Sequence, residues 1–548
     1  MKIAILGTSN GVIHGGYGHI LSQNTSSHQV HNFSLGSNCS LYAGYKIDKE
    51  EIVYKYDYCV LDFCINDQNF YDRECLTLRQ SAANLFGALC KFNKSHCKPL
   101  VLILSNERHS HRICDSLIAT NTAAITSMLN IKTINFAKIV NDFYADIPTS
   151  EIYKEPTHYL PTYQRLIADY IYYEISSDHG SYNINTLPGI HVGANIISEL
   201  EYLKCTKSKR GTSLVQTETI VLNDESEVRM DAKLYLCGML YWSDQHVSAI
   251  SVSNKYESMH KNLYLGYSHS GLFMRNFYHQ MPIDRLTIKL KKTGDDILRL
   301  DPTHDASVYI PNRKHPRVEI VGYCTSNVNL DILGEFVLNI VEVSCKYGHA
   351  SWSMHSEECS LFTDEVVAFL KHISFLVKGD RGLLLALLGD MSIIFKILAK
   401  LTYLHVMFSE HCIMERGIFS LLQQTSDRLN TDKHYAENNF LQSVEMLQHF
   451  DEYLECKIKH LSTSHESREY LNQANFILRA EILRLLEQIS LDTSPKFSVF
   501  DEGAYLQLNT DVATAVRDGR LHSGFVHWIL YGIDERRMLS SNHPRDHE

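Results

Sequence analysis

The chain has 548 residues, enough for about three or four domains of ordinary size. With 44% hydrophobic and 21% charged residues it has globular composition, which excludes a largely disordered chain. A net charge of −11, with no basic run beyond Lys204, Lys207, Lys209 and Arg210 (read as a solvated loop), argues against nucleic acid as a partner.

Residues 1–178 read as α/β. Short apolar runs at 3–6, 30–35, 58–63, 100–104 and 132–136 are strands, and periodic stretches at 76–92 and 113–129 are helices between them. Such alternation gives a parallel sheet covered on both faces, a three-layer domain that takes ligands at the carboxyl ends of its strands. From 179 to 350, Val, Thr, Tyr and Ile alternate with polar residues, as at 217–222, 233–241, 247–252, 285–290 and 317–322. That pattern predicts an antiparallel, sandwich-like β domain. Tyr235, Tyr241, Trp242, Tyr264 and Tyr267 are its candidate carbohydrate-stacking residues, although aromatics on strands serve more often as core. Residues 351–495 read as helical, with helix-period apolar spacing at 364–377, 383–408, 438–460 and 468–490. The stripe Phe476, Ile477, Ala480, Leu483, Leu486 and Ile489 suits an intramolecular core face or a homo-oligomer seam. A short helical module closes the chain at 496–548.

The 14 cysteines are scattered with no C-x-x-C, and the 29 histidines are dispersed, so the spacing holds neither a disulfide framework nor a metal site. The N-terminus enters a strand at once, without an apolar signal segment. The most apolar stretch, 382–408, is broken by Asp390, Lys396 and Lys400 and falls short of a membrane span. The expectation is a cytoplasmic protein.

Four segments carry candidate chemistry. Gly7-Thr8-Ser9-Asn10 follows the first strand, where a serine is exposed at the sheet edge and its N–H lies in a helix's first turn. A serine there also serves as a plain helix cap. Gly36, in Leu35-Gly36-Ser37-Asn38 after the second strand, lets backbone approach a ligand closely. Asn66, in Cys64-Ile65-Asn66-Asp67 after the third, offers an amide donor, and equally fits an Asx-turn ending the strand. Glu155-Pro156-Thr157-His158 precedes a helix at 162–172. Its carboxylate can fold back on the imidazole, leaving His158 as a general base.

In this order, Ser9, Gly36, Asn66 and His158 resemble the four blocks of the SGNH/GDSL hydrolase family over the first third of the chain. Three positions depart from the family pattern: Thr8 and Glu155 stand where it has Asp, and Cys64 where it has Gly. Either Glu155 orients His158, or His158 works with a backbone carbonyl as a dyad, with Asp142 and Asp146 as fallback acids. The resemblance implies ester chemistry: Ser9 as nucleophile, His158 as base, Glu155 as its partner, and Ser9, Gly36 and Asn66 as the oxyanion hole. The acyl group passes to water, giving an esterase, or to a sugar hydroxyl, giving an O-acyltransferase, with acetyl-CoA as a candidate donor and no tightly bound cofactor. A non-catalytic scaffold that keeps only the fold is the alternative. The tail, with Phe500-Asp501-Glu502-Gly503-Ala504-Tyr505-Leu506, Asn509-Thr510-Asp511-Val512 and His527-Trp528-Ile529-Leu530-Tyr531-Gly532, resembles a helical module found beside bacterial polysaccharide-biosynthesis glycosyltransferases, departing from it at Thr510, where Pro is expected. Together these imply an acylated glycan as substrate, with a bacterial surface polysaccharide or its precursor as the expected target.

Overall fold

A computed structural model describes residues 1–347 apart from breaks at 24–27, 94, 111–115, 178–188, 196, 213–214, 245–247, 265–269 and 292–315. Beyond these it describes scattered positions between 366 and 400, and 502–518, 524–527 and 537. The chain divides into two compact units, Met1–Met354 with Thr363–Gly389, and His355–Phe362 with Asp390–Glu548.

The first unit opens with five parallel strands: β1 (Lys2–Leu6), β2 (Gln29–Asn32), β3 (Tyr58–Leu61), β4 (Lys98–Ile103) and β5 (Lys132–Asn135). They lie in the order β2-β1-β3-β4-β5. In β3 every residue is buried, as expected of a parallel strand covered on both faces. The helices are α1 (Ser9–Val12), α2 (Tyr17–Gln23), α3 (Leu41–Lys49), α4 (Ile52–Lys55), α5 (Cys64–Asp72), α6 (Leu78–Cys90), α7 (Leu117–Met128), α8 (Phe136–Phe143) and α9 (Pro161–Ser176). Their starts are written locally. Thr77 and Gln80 close a capping box at α6, and Pro161 sits at the first position of α9, where its missing N–H costs nothing. Strand order reverses around β1, so the crevice beyond the carboxyl ends of β1 and β3 is the natural ligand site.

Two antiparallel sheets follow. One orders β10 (Thr206–Gly211), β11 (Gln216–Leu222), β18 (Val318–Ser326), β13 (Tyr235–Ser243) and β16 (Gly271–Pro282), with β8 (Val192–Gly193) paired to β18. The other orders β15 (Ser258–Asn262), β14 (Ala249–Ser253), β17 (Leu286–Lys291), β12 (Glu227–Asp231) and β9 (Glu199–Leu203). Leu222, Met239 and Tyr241 of the first share one core with Val228, Ile250 and Ile288 of the second. The first sheet's other face lies on α3: a Cβ on Gly238 would stand 2.6 Å from Leu41, and one on Gly322 2.3 Å from the Tyr45 hydroxyl. Helix α10 (Leu330–Tyr347) then returns to α6, and its Gly334 passes so close to the Arg79 carbonyl that a Cβ would meet it at 2.1 Å.

Two readings of the sequence are corrected here. Tyr235, Tyr241 and Trp242 are buried, because β13 is covered on both faces and no side of it meets solvent. Tyr264 is half-buried against the sandwich core, and Tyr267 lies outside the described residues. The basic segment read as a solvated loop is largely strand β10, and its Arg210 pairs with buried Glu319 (Arg210 Nε to Glu319 Oε2, 2.7 Å).

In the second unit, α11 (Glu502–Leu508), α12 (Thr510–Arg517) and α13 (Gly524–His527) gather around Tyr505, whose hydroxyl lies 3.0 Å from His527 Nδ1. The motif residues Tyr505, Asn509, Val512 and His527 are buried there. The helical expectations at 438–460 and 468–490, and the stripe proposed as a seam, lie outside the described residues. Among the described residues no helix is long and apolar enough to cross a membrane, and no His/Cys/Asp/Glu group could hold a metal ion.

Candidate active site

Strand β1 ends at Leu6, and Thr8 takes the cap position of α1 without a side-chain cap bond. Ser9 is therefore the first helical residue, and its N–H has no acceptor within so short a helix. Its hydroxyl is not spent on capping. It lies 2.7 Å from His158 Nε2. His158 reaches it from a hairpin of β6 (Tyr153–Glu155) and β7 (His158–Tyr159), in which Glu155 and His158 are register partners across Pro156-Thr157. That pairing puts Glu155 Oε2 3.2 Å from His158 Nδ1. With the imidazole proton on Nδ1, His158 donates to Glu155 and accepts from Ser9.

No backbone carbonyl takes the place of Glu155 beside His158 among the described residues. Asp142 pairs with Lys138 on α8, and no hydrogen bond joins Asp146 to His158. The Glu155 side chain is 57% exposed, against 19% for His158. Solvent screens so exposed a carboxylate. Glu155→Gln is accordingly expected to lower kcat/KM only about 10-fold, far less than the ~10⁴ cost of neutralising a buried triad acid. Steady-state hydrolysis of a chromogenic ester measures this.

The two other oxyanion candidates stand on the same sheet edge. A Cβ built on Gly36 would lie 3.6 Å from Ser9 Cβ, so the loop after β2 faces Ser9 directly. Asn66 lies in the first turn of α5 rather than in an Asx-turn, and it is buried. One of its amide hydrogens is donated to the Asn38 carbonyl at 2.8 Å, which leaves the second to donate elsewhere. Cys64 is buried, and burial first, then Asp67 and Asp62, pushes its thiol far above the usual range, so it is no nucleophile.

Two residues without a role in the sequence reading hold this geometry. Asn10, fully buried beside Ser9, donates to the Thr157 carbonyl at 2.8 Å. Its Oδ1 accepts from Tyr159 N at 3.3 Å and from Gln164 Nε2 at 2.7 Å. The residue after Ser9 thus grips the hairpin on both sides of His158. Asn10→Asp removes the donor and sets a carboxylate against the Thr157 carbonyl. Since misplacing a catalytic group by 1 Å can cost about 10², kcat is expected to fall about 100-fold with KM little changed. Circular dichroism on the same samples separates this from unfolding.

Asp62, just past β3, is the second. Its Oδ2 accepts from the Thr8 hydroxyl at 2.9 Å and the Tyr17 hydroxyl at 3.0 Å. The turn that carries Ser9 is thus held by a carboxylate from just past β3. Burial pushes Asp62 up to about 6 against the lowering effect of those hydrogen bonds. Its folded value thus exceeds the unfolded one, near 3.9. The folded chain holds the proton longer, so this contribution to stability is complete below pH ~4 and lost as pH rises through ~6. Asp62→Asn keeps an acceptor for both hydroxyls and removes the titration. Between pH 4 and 7 its stability relative to wild type is expected to rise by about 2–3 kcal/mol, read from denaturant unfolding.

No family model and no curated protein matches the chain. Among solved structures it is similar to a two-domain esterase active on acetylated mannans, co-crystallised with mannopentaose, at 11% identity and a TM-score of 0.43, over 60% of this chain and 91% of that one. An acetyl xylan esterase matches at 16% identity and 0.29, over 32% of this chain and 100% of the other. A member of the lipolytic G-D-S-L family from Veillonella parvula matches at 15% and 0.28, again over 32% and 100%. These likenesses are too distant to assign an activity, which leaves the geometry around Ser9 to carry the functional reading.

Proposed function

We propose that this chain is a serine esterase that removes small acyl groups, acetyl foremost, from carbohydrate hydroxyls. The observation that carries the reading is the contact of Ser9 Oγ with His158 Nε2 at 2.7 Å, with Glu155 on the far side of the imidazole. A hydroxyl so placed passes its proton to the imidazole as it attacks an acyl carbonyl. The negative charge that develops on the carbonyl oxygen meets the Ser9 and Gly36 N–H groups and the free hydrogen of the Asn66 amide. His158 then gives its proton to the departing sugar oxygen. Water, deprotonated by the same imidazole, attacks the acyl-serine and releases the carboxylic acid. Transfer to a second sugar hydroxyl is the same chemistry with another acceptor; a bacterial surface glycan suits either outcome.

The test is hydrolysis of 4-nitrophenyl acetate and of an O-acetylated glycan by the full chain. Release of acetate from both supports the reading. Release of nitrophenol that persists in His158→Ala contradicts it.

A further inference from the structure

The edge strand β16 runs past the oxyanion loop and is tied to it on both sides of Arg275. Met274 N–H donates to Asn38 Oδ1, and Cys39 Sγ donates to Asn276 Oδ1 at 2.8 Å. Asn38 passes the tie onward: its Nδ2 donates to the Gly36 carbonyl at 2.7 Å, and its own carbonyl accepts from Asn66. Between these anchors the Arg275 guanidinium lies 4.9 Å from the Phe70 ring centroid, with Nη1 3.3 Å from the Ser37 carbonyl and 3.4 Å from the Met274 carbonyl. Ser37 is the neighbour of Gly36. Phe70 is one helical turn beyond Asn66, on the same side of α5. The arginine is thus seated between the two segments that carry the side-chain and loop donors for the oxyanion.

Its partners are all uncharged. Among the described residues no carboxylate forms an ion pair with Arg275, and Nε and Nη2 make no hydrogen bond. Asp67, on the same helix as Phe70, does not supply the counter-charge. It is fully engaged with Ser40 N at 2.8 Å, Ser40 Oγ at 2.6 Å and Ser81 Oγ at 2.8 Å. A half-buried guanidinium, held by ring stacking and one nitrogen, presents the rest of its planar fork for a bidentate anion.

We propose that Arg275 binds a carboxylate on the alcohol part of the ester, so that the preferred substrate is an O-acetylated acidic sugar. This rests on the esterase reading above. An acetyl ester carries no charge, so the anion belongs to the sugar.

The experiment compares a methyl hexuronoside with the matching methyl hexoside, each O-acetylated at the same hydroxyl. Acetate release is followed with wild type, Arg275→Gln and Arg275→Lys. The uronoside is expected to be favoured at least 10-fold in kcat/KM by wild type. That ratio falls to about one in Arg275→Gln and is partly kept in Arg275→Lys, which retains the charge but not the fork. Binding of both esters to Ser9→Ala, with and without Arg275→Gln, is measured by calorimetry and needs no turnover. Hydrolysis of both esters at equal efficiency, or equal binding of both, overturns the Arg275 assignment and leaves the esterase standing. An Arg275-dependent preference in binding with no hydrolysis of either ester supports the anion site and overturns the esterase. A loss of activity in Arg275→Gln that leaves the ratio unchanged shows a purely structural arginine and also overturns the proposal.

Discussion

Ser9→Ala is expected to abolish ester hydrolysis, lowering kcat by about 10⁴–10⁶ while leaving the fold intact. The change deletes one oxygen. That oxygen has its hydrogen bond with His158 Nε2, and the helix cap is Thr8, so no structural bond of α1 is lost with it. His158→Ala is expected to cost about as much, and the double variant little more than either alone. A nucleophile and the base that activates it act as a unit, so on the proposed reading the loss of one leaves the other without a task. The kinetics of the three variants, set beside their thermal unfolding, check this. Additive losses would mean that the two side chains serve separate purposes.

Asn66→Ala comes next in size. Removing one oxyanion donor typically costs about 10²–10³ in kcat. Here the loss has a second component, because the Asn66 amide also fixes the Asn38 carbonyl, and Asn38 in turn holds Gly36. A buried carbonyl left without its donor costs roughly 1–3 kcal/mol. The variant is therefore expected to lose stability as well as rate. Asn66→Asp keeps the shape but turns a donor towards the oxyanion into a negative charge, and is expected to be slower still. The measurement is kcat against unfolding midpoint for both variants. If Asp retains more activity than Ala, Asn66 does not face the oxyanion.

The sequence made one half of the site readable for a simple reason. In a parallel sheet the functional side chains come just after the strands. The strands announce themselves as apolar runs at 3–6, 30–35 and 58–63, so Ser9, Gly36 and Asn66 can be found by position. Glu155 and His158 are close in sequence, and a two-residue turn brings them together. The supporting half is long-range. Asn10 meets Thr157 across 147 residues, Thr8 meets Asp62 across 54, and Asn38 meets Met274 across 236. No local pattern encodes such partners, and a buried polar residue looks like any turn residue until its partner is known.

The aromatic residues of β13 failed for a related reason. Alternation reveals a strand but not what covers its two faces. Gly238, which lets α3 come down on the sheet, lies inside that same strand, and it is the structural sign that Tyr235 and Trp242 are interior. Strand β16 was missed as well. Its run Gly271-Leu272-Phe273-Met274-Arg275-Asn276-Phe277 lacks clean alternation, and both faces of it find partners.

The most direct test of the central claim is labelling of the full chain with a serine-directed fluorophosphonate, followed by peptide mapping. An activated nucleophile is expected to take the probe stoichiometrically at Ser9, and His158→Ala to lose the label while keeping its fold. A label at another residue, an equal label in His158→Ala, or an intact chain that takes none would contradict the assignment of Ser9 and His158 as nucleophile and base.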